Sequence, residues 1–417
     1  MTPNRGITLR ATLGPAGLAL SLILMGGCGG AGLVAEDGVP PDTTAHPTPA
    51  PKASEPGAEV GRWRQMARSP LAPRYRATGV WTGDEMLVLG GLTSTGRFAS
   101  LNADSYARDV AAYDPSRDTW RTLAPAPFAP MDLSTVVLAR TIYVLDQTIQ
   151  GERYLWAYNL DADTWRRLAG PPAEGVDQGV NGIVAAGSKL YAWHFDRKAP
   201  ADLLYDPAKD KWSRAPVSPL GGSLYGSVLG LPDGRVVSVG LNLSTPLSGG
   251  RRFYDAAVFD PKTRAWKRTP KAPFLEGSNN AWAFAGGRVV NLDPETYTRT
   301  RGGRKYPSGA ELDVDTRTWS PLPGHPNQPG TLGWATTSGG DVALLRGWVL
   351  DVPRGRWTKL PEIRDAVNDL AFPALAWTGA ALLAWGGRGD TNPGGVHGQG
   401  WFTTDRGWIW EPPANLQ

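Results

Sequence analysis

The sequence is poor in cysteine, histidine and helical patterning. A single cysteine, Cys28, stands in 417 residues, so no intrachain disulfide can form and the fold must rest on packing. The four histidines, His46, His194, His325 and His397, are far apart. No pair has ligand-like local spacing, and only the fold could bring distant ones together. No nucleophile elbow or phosphate-cradling glycine loop occurs in a strand-to-helix context. Segments of helical period are few. The one long apolar run, "ATLGPAGLALSLILM" at 11–25, is too short and too proline-broken for a membrane span. Net charge is also small. The formal +4 includes Arg5 and Arg10 ahead of that run, and without them 41 basic residues face 39 acidic ones. That balance gives nucleic acid no electrostatic footprint.

What is present begins with that leader. A basic start, a short apolar stretch and small residues before Cys28 make a secretory signal at 1–27. Its ending, "LMGGC", resembles a bacterial lipobox, which implies cleavage before Cys28 and a diacylglycerol on its sulfur. The plainer alternative is a secretory signal with an incidental cysteine. The segment 28–59 is rich in Pro, Ala and Thr and nearly free of aromatics. It cannot bury enough surface to fold and reads as a disordered tether, with a reach on the order of 100 Å at full extension. The folded part is expected over 60–417.

That part is built from one repeating unit. An aromatic or apolar residue is followed seven positions later by tryptophan: "YDPSRDTW" at 113–120, "YNLDADTW" at 158–165, "YDPAKDKW" at 205–212 and "FDPKTRAW" at 259–266, then "LDVDTRTW" at 312–319 and "LDVPRGRW" at 350–357. The tryptophans lie 45, 47, 54, 53 and 38 residues apart, a period that signals a propeller or a solenoid. The residues before the motif form a strand, Asp-Pro opens a tight turn, and tryptophan sits on the next strand, where its ring can fill the gap between sheets. Upstream hairpins such as "VWTGDEMLVLGG" at 80–91 and "VLGLPDGRVVSVG" at 228–240 supply two further strands.

The pattern resembles the kelch family of β-propellers, whose blades carry Gly-Gly after the second strand, an aromatic in the third and tryptophan in the fourth. The fold expected is therefore all-β, a seven-bladed kelch-type β-propeller. Gly-Gly is kept at Gly90–Gly91 and Gly386–Gly387. The phrase "AWTGAALLAWGG" at 376–387 echoes the first hairpin, and its blade ends with a third strand, "GWIWEPP" at 407–413. A fourth-strand phrase with Trp63, "GRWRQMARSPL" at 61–71, has no blade before it. The N-terminal strand should complete the last blade and close the ring.

Long loops between second and third strands mark one face for binding. They place Arg97, Arg108, Arg251, Arg252, Arg301, Arg304, Lys305 and Arg388 there, with Tyr306, Asp390 and His397 among them. Guanidinium groups with aromatics suit carboxylates, phosphates or acidic sugars, although loop arginines also serve solubility alone. "RGD" at 388–390 matches an adhesion tripeptide that an Arg-, Gly- and Asp-rich chain produces easily. "TTDRGWIW" at 403–410 matches one sialidase Asp-box and reads as a turn. The kelch oxidases' copper site needs a Tyr–Cys cross-link, and the sole cysteine, Cys28, is the lipidation candidate; neither cofactor nor metal is expected. The leading expectation is an extracytoplasmic binding module, held to the membrane by lipid on Cys28, that recognises an acidic sugar or a cell-envelope protein. An enzyme on exported sugars, of epimerase or lyase type, is the competing class. It would need an acid/base pair such as His397 with a carboxylate. A structural part of an envelope assembly is the third.

Overall fold

The computed structural model describes residues 61–93, 105–130, 133–147, 153–172, 180–194, 202–216, 218–220, 223–242, 254–270, 282–292, 310–323, 332, 336–363, 370–390 and 401–413. Cys28 and the segments expected to be a leader at 1–27 and a tether at 28–59 lie outside them.

Among the described residues there are seven antiparallel four-stranded sheets and one two-stranded ribbon, and no helix. The molecule is a seven-bladed β-propeller. Blade one consists of Thr78–Trp81, Met86–Leu89, Val110–Asp114 and Thr119–Leu123, paired in that order. Blades two to six repeat the order within 134–167, 182–214, 223–268, 282–321 and 336–359. The first strands line the axis: those of blades seven and one lie together, as do those of each successive pair from blade two to blade seven. Second strands are covered on both faces, which is why "MLVL" (Met86–Leu89), "VALL" (Val342–Leu345) and "LLAW" (Leu382–Trp385) are unbroken apolar runs with every residue buried. Fourth strands form the outer rim, and most of their residues are exposed or half-buried.

Blade seven is closed as the sequence predicts. Its strands Ala374–Trp377, Leu382–Trp385 and Gly407–Glu411 are completed by Arg62–Gln65 from the N-terminal side, with Trp63 opposite Trp410. The tryptophan spacing has a structural reason beyond filling gaps. Each fourth-strand indole N–H donates to the carbonyl four residues past the corresponding tryptophan of the preceding blade. Thus Trp120 bonds Ala67, Trp165 bonds Ala124, Trp212 bonds Ala169, Trp266 bonds Pro216, Trp319 bonds Pro270 and Trp357 bonds Pro323, all at 2.7–2.9 Å. Trp63 bonds Pro361 at 2.8 Å and makes the seventh latch, which joins blade seven to blade six.

The turn ahead of each tryptophan is equally regular. The Asp or Asn at its start accepts backbone N–H groups, as Asp114 does from Ser116 and Arg117 and Asn159 from Asp161 and Ala162. The residue two before each tryptophan has φ between +49° and +74° in all seven blades: Gly61, Asp118, Asp163, Asp210, Arg264, Arg317 and Gly355. In blades one to three this residue is aspartate. One carboxylate oxygen there takes the hydroxyl of the third-strand tyrosine (Tyr113, Tyr158 or Tyr205) and a backbone N–H of the preceding blade (Ala67, Ala124 or Ala169). Where the tyrosine becomes Phe259 or Leu312, the aspartate becomes Arg264 or Arg317, whose guanidinium reaches a carbonyl of the preceding blade instead.

Candidate functional site

In each blade the hairpin joining the first two strands is at one end. At the other end the second strand leaves, the third enters and the connection from the preceding blade arrives. Blades seven and one are built alike at this second end, and residues 296 apart correspond. Gly90–Gly91 and Gly386–Gly387 all have positive φ and turn the second strand away from the axis. After each pair, one residue bridges back to the segment leading into its blade's first strand: Leu92 to Tyr75, and Arg388 to Ala371.

The next residues, Arg76 and Phe372, also correspond, and both are left-handed, with φ of 57° and 56°. Such strain in bulky residues persists only where the surroundings hold it. Here the Arg76 N–H donates to the Phe372 carbonyl at 2.9 Å. The side chains form a layered group. The Arg388 guanidinium carbon is 5.0 Å from the Tyr75 ring centroid and 5.9 Å from that of Phe372, and Arg76 lies 5.7 Å from Phe372 on its own account. Arg76 is exposed and has no carboxylate partner among the described residues.

Beneath this layer, Arg74 is buried, with 1% of its side chain exposed. It donates to Asp109 at 2.7 Å, to Gly90 O at 3.3 Å and to Ala72 O at 3.0 Å. Arg74 therefore ties the closing segment to blade one. Arg108, next to Asp109, is exposed. The seam between blades seven and one thus presents guanidinium groups against aromatic rings, and the planar guanidinium is a group whose geometry matches an oxyanion.

Blades two to five carry a different chemistry at the same end. Asp146 and Asn291, within or at the end of second strands, and Asp255, early in a third strand, are each 1–2% exposed. Asp255 is held by Arg268 of the same blade. In blade three, His194 follows the second strand Lys189–Trp193, and Asp202 precedes the third, Leu203–Asp206. One Asp202 oxygen takes the His194 N–H at 3.0 Å and the other takes the Tyr191 hydroxyl. Burial, reinforced by that carboxylate, pushes the Tyr191 phenol well above its ordinary value, so it stays a hydrogen-bond donor. The mouth is therefore cationic at one seam and carries carboxylate, amide and imidazole groups elsewhere.

Among the residues picked out from sequence, Arg108 and Arg388 lie at this end. Asp390 ends the first strand of a two-stranded ribbon, Arg388–Asp390 with Trp401–Thr403. The "RGD" tripeptide is that strand, with Gly389 buried, and not a loop tip. Of the Asp-box match, read from sequence as a turn, only 404–406 connect strands: Thr403 ends the ribbon and Gly407–Trp410 belong to the third strand of blade seven, while the Asp405 carbonyl accepts the Trp385 indole N–H at 3.0 Å. Arg97, Arg251, Arg252, Arg301, Arg304, Lys305, Tyr306 and His397 lie outside the described residues.

Arg74, Arg76, Phe372 and the His194–Asp202 pair escaped the sequence reading. Extending the echo between the first and last hairpins by a few residues would have aligned Arg76 with Phe372. Nothing local marks His194 and Asp202. No protein-family model matches the chain. It is similar to the N-acetylneuraminate epimerase of Yersinia enterocolitica (serotype O:8 / biotype 1B), with 25% identity over 354 residues that cover 77% of this chain and 79% of that protein.

Proposed function

We propose that this propeller is a kelch-type, extracytoplasmic protein, tethered through lipid on Cys28, that binds an acidic sugar at the seam of blades seven and one. The observation that carries the reading is the layered Arg76–Phe372–Arg388–Tyr75 group, in which Arg76 has no carboxylate partner among the described residues. A guanidinium with no carboxylate partner among the described residues, lying against an aromatic ring, suits an external carboxylate. The similarity to a protein named for N-acetylneuraminate, the anion of an acidic sugar, supports the same ligand class.

The test is calorimetric titration of the propeller with N-acetylneuraminate. Losing one charge-assisted contact is worth about 1.5–3 kcal/mol, so Arg76→Ala should weaken binding roughly ten- to hundredfold. Binding that is undiminished in Arg76→Ala sinks the seam as the carboxylate site.

The relative's name also favours a second reading, in which bound sugar is epimerised. That chemistry needs a group able to take up and return a proton. Among the described residues, His194, with Nδ1 3.6 Å from Asp202 Oδ1, is a candidate. Nuclear magnetic resonance of the sugar decides between the readings. Faster interconversion of epimers in the presence of the protein makes it an enzyme, and binding without interconversion leaves it a receptor.

A further inference from the structure

Blade three holds an unusual concentration of unanswered polar atoms. The inner strand Gly182–Ala186 pairs with Lys189–Trp193, Gly182 opposite Trp193. Just beyond that register the pairing slips by one residue, and the Asn181 N–H donates to the carbonyl of Trp193, the residue before His194, at 2.8 Å. Asn181 Nδ2, Trp193 Nε1 and both ring nitrogens of His194 are buried without a hydrogen-bond partner among the described residues. Only 3% of the His194 side chain is exposed. The outer edge of the Trp193 ring packs on Gly182, where a β-carbon would come within 2.3 Å of it, so glycine at 182 makes room for the indole. Folded proteins rarely leave one buried polar atom unanswered, and a cluster of them calls for a water, an ion or a ligand.

The chemistry of the corner narrows the choice. An amide NH₂ and an indole N–H donate, while a neutral imidazole donates at one nitrogen and accepts at the other. Asp202, anchored by the His194 amide and the Tyr191 hydroxyl, puts a negative charge beside them. From the preceding blade, Arg153 donates to Val180 O at 2.6 Å. A carboxylate would meet Asp202, whereas a group that both donates and accepts would suit the Asn181 amide and the His194 imidazole. We infer that Asn181 and His194 form a subsite for the neutral hydroxyl or amide groups of a sugar, complementary to the cationic seam of blades seven and one. This rests on the acidic-sugar reading for the identity of the whole ligand, but not for the chemistry of the corner.

The experiment uses the chain labelled with ¹⁵N and ¹³C at its four histidines, with the His194 signals identified by their loss in His194→Gln. The probes are N-acetylneuraminate and the neutral N-acetylmannosamine. The expected result is a saturable movement of the His194 imidazole signals with both sugars. Asn181→Ala, with Asn181→Ser as the milder variant, should raise the dissociation constant for the neutral sugar about tenfold, the loss of one to two neutral hydrogen bonds. In Arg76→Ala the neutral sugar should still move His194, while the preference for the acidic sugar is lost. His194 signals that stay put while calorimetry shows N-acetylneuraminate bound overturn the subsite and leave the seam reading intact. A corner filled by water alone gives that result. Signals that move with the neutral sugar, with no seam-dependent binding of the acidic one, keep the subsite and remove the seam. No binding of either sugar removes both, and unchanged affinity in both Asn181 variants also overturns the subsite.

Discussion

At the scale of single residues, most polar side chains near the rim serve the join between blades. Asp118 and Asp210 each accept a tyrosine hydroxyl and a backbone N–H of the preceding blade. The tyrosine hydrogen bond, first among the causes, holds both carboxyls below the usual range. A carboxyl depressed in the folded state stabilises fully above its unfolded value, about 3.9, and that contribution is lost as pH falls through the folded value. Urea midpoints should therefore be flat near neutrality and fall steeply below about pH 4. Asp118→Asn with Asp210→Asn should lower the neutral midpoint and flatten the acid limb, since asparagine tolerates φ near +50° but does not titrate. An acid limb as steep in the double variant as in the parent would assign acid lability to other carboxyls. The tyrosine–aspartate pairing also explains a pattern that spacing alone left opaque: aspartate two before tryptophan goes with tyrosine seven before it. Where one is lost, at Phe259 with Arg264 and at Leu312 with Arg317, the other goes too.

At the scale of the strand, the segment Arg62–Gln65 carries the closure. It pairs with Gly407–Glu411, and Met66 N donates to Gly407 O at 2.9 Å. Arg62 and Arg64 both reach Glu411. Arg62 is 83% exposed, and such surface pairs contribute little. Closure is thus driven mainly by backbone pairing and by Trp63 packing against the last sheet. A chain beginning at residue 70 should melt lower and self-associate with concentration, because Gly407–Glu411 becomes an open edge. A peptide of residues 58–69 added in trans should restore the midpoint. A truncated chain as stable and monomeric as the parent would show that the strand is dispensable. The remaining outer strands have edges open to solvent. Except for Thr318–Pro321 they carry arginine or lysine, and none carries a carboxylate. Repulsion between like-charged rims discourages edge-to-edge pairing.

At the scale of the whole molecule, the ring places the cationic seam and the polar corner of Asn181, His194 and Asp202 at the same end, and the proposed ligand is accordingly anionic at one point and hydroxylated elsewhere. The tether proposed at 28–59 would let such a head range some distance from its anchor. The lipid anchor predicts that the chain fractionates with membranes and takes up labelled fatty acid, and that Cys28→Ala abolishes the label and frees the protein. Membrane association unchanged in Cys28→Ala would leave a signal peptide without lipidation.

Much of the architecture is written locally, and for a physical reason. Within a blade the interacting residues are close in sequence: Tyr113 meets Trp120 across one turn, with ring centroids 5.0 Å apart. The periodicity of those pairs sufficed for the strands, the count of seven blades and the strand exchange that closes the ring. The candidate site has no such signature. Arg76 meets Phe372, and Arg388 meets Tyr75, only because closure brings the two ends of the chain to one seam. Asn181, His194 and Asp202 gather where three strand ends of blade three converge. Sequence by itself determined the repeated unit and its number. Tertiary structure alone decided which polar groups are left without partners at the mouth, because that depends on contacts between residues that no local spacing relates.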